Sequence, residues 1–219
     1  MNYRIHPLSE NAITLYFEQK ISPDINDLVI ASCLWIEENS FPGFIEVVPA
    51  YASLTIFYDL IELINQGYKS PFLFVKSKMQ EIPFESLKAG NKPKNLIEIP
   101  VEYSGEDLQI VGKHSRLSEK EIIKLHTEPE YRVYMMGFLP GFAYMGGLNQ
   151  KLATPRKKKP RLKVPAGSVG IAGAQTGIYP LESPGGWQLI GLTDKKLFDP
   201  SDRKLSLLST GDYVKFKAV

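Results

Sequence analysis

Residues 164–180 read VPAGSVGIAGAQTGIYP, with four glycines spaced three or four residues apart. No Gly-Lys-Ser or Gly-Lys-Thr closes the run and no Gly-x-Gly pair occurs in it, so neither a Walker loop nor a dinucleotide fingerprint fits. Glycine lets a strand bend or lets other groups approach its backbone. The run therefore indicates bent barrel strands. Alternatively, its polar side chains Gln175, Thr176 and Tyr179 orient a small polar substrate.

Short apolar runs separated by glycine and proline continue on both sides of this segment. They span residues 132–138, 169–172, 188–191 and 213–216. Many short strands with dense turns are typical of an all-β barrel or sandwich. Two short helices are predicted before these strands, at 106–114 and 118–126, and Ser118 with Glu121 forms a capping box for the second.

The first half of the chain alternates strand and helix patterns in the order β-α-β-β-α-β, which favours a small ferredoxin-like α+β sandwich. Cys33 lies on the apolar face of the first predicted helix, so we expect a small core residue rather than a nucleophile. Pro23 suits the first turn of that helix. The predicted strands are 12–17, 44–48, 53–58 and 97–101, and the predicted helices are 22–39 and one that begins near residue 59.

Charge and glycine are unevenly distributed along the chain. Residues 1–110 carry 8 basic and 15 acidic side chains, whereas residues 111–219 carry 18 basic and 9 acidic ones. These shifts predict an α+β domain over residues 1–90 and a β-barrel domain over residues 91–219, joined by the polar segment 88–94. The basic second half suggests an anionic ligand or an acidic partner.

Composition excludes several classes of protein. Hydrophobic residues make up 43% and charged residues 23% of the chain, as in ordinary globular proteins. No apolar run reaches the roughly 18 residues of a membrane helix and no secretory signal is visible, so we expect a cytoplasmic protein without membrane contact. The net charge of +2 is too small to predict nucleic-acid binding. His6, His114 and His126 are too scattered to predict a metal site.

Large aromatic side chains flank glycine and proline in two further segments. The first, GFLPGFAY at 137–144, contains Phe138 and Phe142. We predict a shaped loop there, because proline lacks a backbone donor and glycine favours positive φ. Its aromatic rings either line a pocket or plug one end of a barrel. The second segment, SPGGW at 183–187, is predicted to be a tight turn that carries Ser183 and presents the indole of Trp187.

Six of the eight residues from Arg156 to Lys163 are basic. We interpret Lys157 to Lys159 as a solvated loop. Arg156 and Arg161 each follow a proline, and a guanidinium offers a planar fork to a carboxylate or phosphate. His126 lies at the end of a predicted helix, where the helix dipole favours its charged form. It is either a helix-end stabiliser or a proton-transfer group.

Taken together, these segments resemble a known protein family. The matching runs are YRVYMMGFLPGFAYMGGL (131–148), TPR (154–156), PRLKVPAGSVGIAGAQTGIYPLESPGGWQLIG (160–191), LFDP (197–200), LLSTGDYVKF (207–216) and VVPAYASLTIFYD (47–59). They look like the B subunit of bacterial 5-oxoprolinase, a family also called allophanate hydrolase subunit 1 that includes the kinase inhibitor KipI. One departure is Ala143, where the family usually has proline.

The resemblance implies a small α+β domain followed by a cyclophilin-like β-barrel. It also implies two partners, the C and A subunits, in an enzyme complex that opens 5-oxoproline to L-glutamate while hydrolysing ATP. Arg156 and Arg161 are then candidate binders of carboxylate or phosphate, and Phe138, Phe142, Ser183 and Trp187 are further candidates for substrate contact. Gln175, Thr176 and Tyr179 are candidate orienting donors, and His126 is a candidate acid or base. No complete catalytic set emerges from these residues, which favours a site shared with the C subunit.

Two other functions fit the sequence. A KipI-like protein would bind a sensor histidine kinase and block its autophosphorylation. The motifs are common to both family functions, so the sequence leaves this choice open. A prolyl isomerase follows only from analogy of fold, which is a weak basis for function, and we rank it last.

Overall fold

A computed structural model describes residues 2–87 and 95–219. It divides the chain into two compact units of mixed helix and strand, Met1–Lys92 and Pro93–Val219, and each unit has its own hydrophobic core. The predicted linker at 88–94 lies outside the described residues.

The first unit is a four-stranded antiparallel sheet covered by helices. Strand β4 shows why it forms, because Leu54, Ile56 and Tyr58 alternate with less buried residues and give the sheet one apolar face. The strands follow the order β1-β2-β4-β3. The elements are β1 (Arg4–Ser9), β2 (Ala12–Tyr16), α1 (Pro23–Glu38), β3 (Phe44–Pro49), β4 (Ser53–Tyr58), α2 (Leu60–Asn65) and α3 (Pro71–Gln80).

Helix α1 begins as predicted, with Pro23 in its first turn. It turns Cys33 into the core together with Val29 and Ile36. Burial, with a smaller effect from the charge of Glu37, raises the pKa of Cys33 to about 12. The thiol is therefore protonated at neutral pH, and the prediction of an unreactive core residue is confirmed.

The predicted fourth strand of this sandwich was assigned to the wrong sheet. Residues 97–101 do form a strand, but it belongs to the second unit. The fourth strand of this sheet is instead β1, which pairs with β2 at one edge and which the sequence pattern did not reveal. Strand β1 contains Pro7 and most of its side chains are exposed, so it carries no strong alternation of apolar and polar residues.

The second unit is built on a nearly closed, barrel-like sheet of seven strands, and its two remaining described strands pair with each other in a separate ribbon. The strands of the barrel-like sheet follow the order β12-β9-β10-β7-β6-β13-β5, and every neighbouring pair is antiparallel except β5 with β13. The elements are β5 (Leu96–Val101), α4 (Leu108–Ser115), α5 (Glu119–Thr127), β6 (Tyr131–Met136), β7 (Ala143–Gly146), a 3-10 turn (Gln150–Leu152), β8 (Arg161–Val164), β9 (Ser168–Ala172), β10 (Gln175–Ile178), β11 (Ser183–Gly185), β12 (Gln188–Leu192) and β13 (Tyr213–Ala218).

Two backbone hydrogen bonds between Glu102 and Leu192 join the two edges of this sheet. Each residue donates its N–H to the other's carbonyl oxygen, both at 2.9 Å. The barrel is thus joined where β5 ends against β12. Helix α5 packs on β13 and begins with the predicted Ser118–Glu121 capping box.

The glycine-rich run at 164–180 folds as the β9–β10 hairpin. Ala172 pairs with Gln175 across its turn, where Gly173 has a φ of +57°. The interpretation of this run as barrel strands is confirmed. In the aromatic segment at 137–144, Phe138 and Gly141 have positive φ as part of a shaped loop, and strand β7 begins directly after it at Ala143.

Candidate functional site

The second unit carries an aromatic cluster on the face of the sheet opposite to the barrel core. Alternation along the strands explains the division, since Ile171 and Ile178 belong to the barrel core while Ala172 and Tyr179 face the other way. We call this group the outer cluster; its buried members are Phe142, Val164, Ala172, Tyr179, Trp187 and Leu189.

Edge-to-face ring contacts hold the outer cluster together. The ring of Phe142 lies 5.4 Å from that of Tyr179 and 5.5 Å from that of Trp187. Glycines make room for the rings, because a Cβ added at Gly185 would overlap the Tyr179 hydroxyl and one at Gly177 would lie 3.0 Å from Trp187. These glycines therefore serve close packing.

Phe138 is the exposed end of this aromatic group. Its side chain is 60% exposed, and its ring lies 5.5 Å from Phe142. A φ of +72° is unusual for a bulky side chain and presents the ring beside an open cleft of about 590 Å³. Residues 136–141 line one side of that cleft, and Ser206 and residues 208–210 line the other.

Arg156 lies over the outer cluster, with its guanidinium carbon 5.8 Å from the centre of the Trp187 ring. This is a cation–π distance. Arg156 is exposed, and within the described residues it forms neither an ion pair nor a hydrogen bond through its side chain. Its donors thus remain available to a carboxylate or phosphate.

Arg161, predicted as a second anion binder, forms ion pairs with two carboxylates of its own chain. Its Nε lies 2.6 Å from Glu106 Oε1, and its Nη2 lies 2.5 Å from Asp107 Oδ2. It also donates to the carbonyl oxygen of Trp187 at 3.3 Å. The fork that the sequence offered to a ligand therefore stabilises the fold.

Asp107 is the residue that sequence analysis missed. Its residue surface is 1% exposed, and it accepts hydrogen bonds from Lys157 and Arg161 and from the N–H of Leu189. Burial alone would raise its pKa, but these hydrogen bonds outweigh burial and hold the pKa below its ordinary value. The partners lie 50 to 82 residues away in the sequence, so no local pattern marks this carboxylate.

Two of the predicted catalytic residues lie in the barrel core. His126 and Thr176 are both fully buried, and the His126 Nε2 atom lies 2.9 Å from Thr176 Oγ1. Thr176 donates its proton to the carbonyl oxygen of Gly170, so its oxygen accepts from Nε2–H. The other ring nitrogen, Nδ1, then accepts from the hydroxyl of Tyr103 at 2.6 Å. Every polar atom of this buried chain is satisfied with a neutral imidazole.

The helix dipole, predicted to favour the charged form of His126, is outweighed by burial. Burial lowers the pKa of His126 to about 3, so the ring is neutral at physiological pH. The cost of burying a charge exceeds the small attraction of a helix C-terminus. The ring stacks on Phe216 at 4.6 Å, as a core residue would.

The remaining predicted residues surround the outer cluster. Tyr179 is buried; burial raises its pKa, while the N–H of Trp187 and the charges of Arg156 and Arg161 lower it by less. Ser183 is buried and donates to the carbonyl oxygen of Pro184 at 3.2 Å. Gln175 is partly buried at the start of β10. Of the predicted residues, only Phe138 and Arg156 are exposed.

Residues 2–87 and 95–219 contain neither a cluster of metal ligands nor a membrane-spanning helix. They contain no group of three or more His, Cys, Asp or Glu side chains arranged to hold a metal ion. No helix in those ranges is both long and apolar enough to span a membrane.

Comparison with known proteins identifies the family. The model of the carboxyltransferase domain, subdomain C and D, matches residues 3–208. A protein of Bacillus subtilis, named as the B subunit of 5-oxoprolinase, is 47% identical over 99% of this chain and 92% of its own length. This chain belongs to the family of the carboxyltransferase domain, subdomain C and D, together with this B subunit of 5-oxoprolinase. A protein of the same name from Haemophilus influenzae is 47% identical over 97% of this chain and 96% of its own length.

A solved relative shares the fold in a longer chain. The protein in the crystal structure of TTHA0988 is 34% identical to this chain in sequence, with a TM-score of 0.81. The match covers 99% of the chain described here. It covers 40% of the TTHA0988 chain. The two-unit architecture therefore also occurs as part of a larger polypeptide.

Proposed function

We propose that this chain is the B subunit of an ATP-dependent 5-oxoprolinase, which opens 5-oxoproline to L-glutamate together with the C and A subunits. The observation that carries the proposal is the name that its relatives bear, the B subunit of 5-oxoprolinase, at 47% identity over nearly the whole chain. Identity at this level over both units makes a shared role in a complex the simplest conclusion.

The arrangement of the candidate residues supports a site completed by another protein of the complex. His126 and Thr176 are enclosed in the barrel core, and Arg161 is held by Glu106 and Asp107. Among the candidates, this leaves Arg156 and Phe138 exposed. A cation and an aromatic ring can bind and orient a substrate but cannot supply the proton transfers that amide hydrolysis requires. We therefore propose that the reactive groups come from the C subunit.

Arg156 is our proposed contact for the substrate carboxylate or for a phosphate. Its guanidinium lies against the Trp187 ring, and its donors have no protein partner among the described residues. A planar fork binds a carboxylate through two parallel hydrogen bonds. Phe138, beside the open cleft, would exclude water from one side of the bound ring of 5-oxoproline.

We assign ATP to the partner proteins. ATP supplies the free energy that opening of a stabilised lactam requires. In this chain the glycine-rich run is a hairpin between two barrel strands rather than a loop that leads into a helix N-terminus. This run thus does not form a loop of the kind that cradles phosphates.

Reconstitution tests this proposal. The purified chain should release negligible glutamate from 5-oxoproline, and addition of the C and A subunits should produce release that depends on ATP. Turnover by the chain alone would contradict the shared site. Failure of all three subunits together to release glutamate, combined with inhibition of a sensor histidine kinase by this chain, would favour the KipI-like function instead.

A further inference from the structure

The backbone on both sides of Arg156 is hydrogen-bonded to the two residues that flank Trp187, Gly186 and Gln188. Gln188 donates its side-chain amide to the carbonyl oxygen of Pro155 at 2.8 Å. On the other side, the N–H of Lys157 donates to the carbonyl oxygen of Gly186 at 2.7 Å. Arg156 therefore sits between two anchored neighbours, directly beside Trp187 in space.

The Lys157 side chain provides a third attachment, to a buried carboxylate. Its Nζ lies 2.9 Å from Asp107 Oδ1, while Arg161 Nη2 and the N–H of Leu189 both bind Oδ2, at 2.5 and 2.8 Å. Asp107 thus joins both ends of the 157–161 turn to the strand that follows Trp187. Hydrogen bonds to a buried charged group are the strong ones, because no water competes for them.

Asp107 also separates the cations of the basic segment by function. Lys157 and Arg161 both form ion pairs with it, whereas Arg156 is left unpaired among the residues that the structure describes. Without the carboxylate, Lys157 and Arg161 would repel each other and Arg156 across a short turn, and the segment would spread towards solvent.

We propose that Asp107 is a positioning residue, which holds the Arg156 guanidinium over Trp187 through Lys157 and Arg161. The effect of this positioning on catalysis rests on the function proposed above. The effect of Asp107 on the geometry of Arg156 does not depend on that function.

Tryptophan fluorescence tests the geometry without any assay of activity. The chain has two tryptophans, so in a Trp35→Phe background the emission reports on Trp187. Arg156→Ala removes the cation from the ring and should shift that emission. Asp107→Asn should produce the same shift, and the double variant should show no further change. Unchanged emission in Asp107→Asn, or a double variant whose shift is the sum of both, would overturn the proposal.

Two further variants serve as controls, one for loss of a neighbouring charge and one for misfolding. Glu106→Gln removes the exposed partner of Arg161 and should leave the emission unchanged, since Asp107 still holds Arg161. If Asp107→Asn fails to fold, Lys157→Ala cuts one arm of the attachment and keeps the buried carboxylate paired with Arg161. It should shift the emission in the direction of Arg156→Ala. A folded Lys157→Ala protein with wild-type emission would contradict the positioning role.

The reconstituted complex then provides the kinetic test. Asp107→Asn and Arg156→Lys should each lower kcat/KM by about ten- to a hundredfold, and the double variant should be no worse than either one. Multiplied losses would contradict positioning through Arg156. If Arg156→Lys retains full activity, the proposed role of Arg156 fails, whereas the fluorescence result still decides whether Asp107 places it.

Discussion

The imidazole of His126 and the hydroxyl of Thr176 are hydrogen-bonded to each other, 2.9 Å apart, inside the barrel core. The sequence offered both as catalytic groups, and the structure joins them in a buried chain that begins at Tyr103 and ends at the carbonyl oxygen of Gly170. Polar chains of this kind fix the packing of a core when every member is satisfied. The pair therefore links helix α5 to strand β10.

The protonation of His126 should make stability depend on pH. Its pKa is about 3 in the folded protein and about 6.5 when unfolded, so only the unfolded chain gains a proton between these values. The stabilisation is complete above pH 6.5 and is lost as the pH falls towards 3. We expect the free energy of unfolding to lose about 2 kcal/mol from this group between pH 7.5 and pH 5.

Chemical denaturation of His126→Gln measures that contribution. Glutamine can donate and accept at this site but does not titrate. The difference in free energy of unfolding between wild type and variant should therefore be about 2 kcal/mol smaller at pH 5 than at pH 7.5. His114→Gln, at an exposed position, is the matched control and should follow the wild type. An equal loss of stability in wild type and His126→Gln would mean that other groups cause the pH dependence.

The planar shape of the Arg156 guanidinium should matter more than its charge. Arg156→Lys keeps the charge but cannot form two parallel hydrogen bonds, so the reconstituted complex should lose about ten- to a hundredfold in kcat/KM with little change in melting temperature. Lys158→Ala, an exposed neighbour, should be close to neutral in both measurements. A large fall in melting temperature for Arg156→Lys would make its role structural.

Packing around Tyr179 should make position 185 intolerant of any side chain. A Cβ there would overlap the hydroxyl and ring of Tyr179, which is buried in the outer cluster. Gly185→Ala should lower the free energy of unfolding by about 1–3 kcal/mol. Gly137→Ala is the control, because its nearest contact is a methionine methyl group at 3.6 Å. Equal stability of both variants, measured by denaturation, would show that the outer cluster adapts readily.

The second unit should fold by itself. It buries its own core of barrel residues, so a fragment of residues 93–219 should unfold in one cooperative transition. Limited proteolysis of the whole chain should release a similar fragment by cleavage at 88–94, the proposed linker. Gradual, non-cooperative unfolding of the fragment in a thermal scan would indicate that the two units depend on each other.

Features that depend on residues close together in the sequence were predicted correctly. The Ser118–Glu121 cap, the strand at 53–58 and the burial of Cys33 follow from spacing and residue type, and all three are confirmed. The strand at 97–101 was also found, but its partner β13 is more than a hundred residues away and no local pattern indicates it. Strand β1 lacks an apolar alternation and was missed.

The candidate site shows the same limit. The residue types that bind anions were identified, but sequence cannot tell a guanidinium that faces solvent from one that meets a buried carboxylate. Arg156 and Arg161 look alike in the sequence, each after a proline, and only the distant Asp107 distinguishes them. His126 was assigned a charge from its helix alone, whereas enclosure by strands from elsewhere in the chain decides it.

The parallel pairing of β5 with β13 bears on how the protein is made. Strand β13 lies between β6 and β5, so β5 cannot join the rest of the sheet until residues 213–218 have been synthesised. During translation, the four strands of the first unit, which all lie before residue 59, can pair while the ribosome is still elongating. Until residues 213–218 are made, β5 has no strand partner and β6 is paired on one side only, with β7, and contacts between such distant segments form slowly. Nascent chains stalled before residue 213 should therefore be the species most in need of a chaperone.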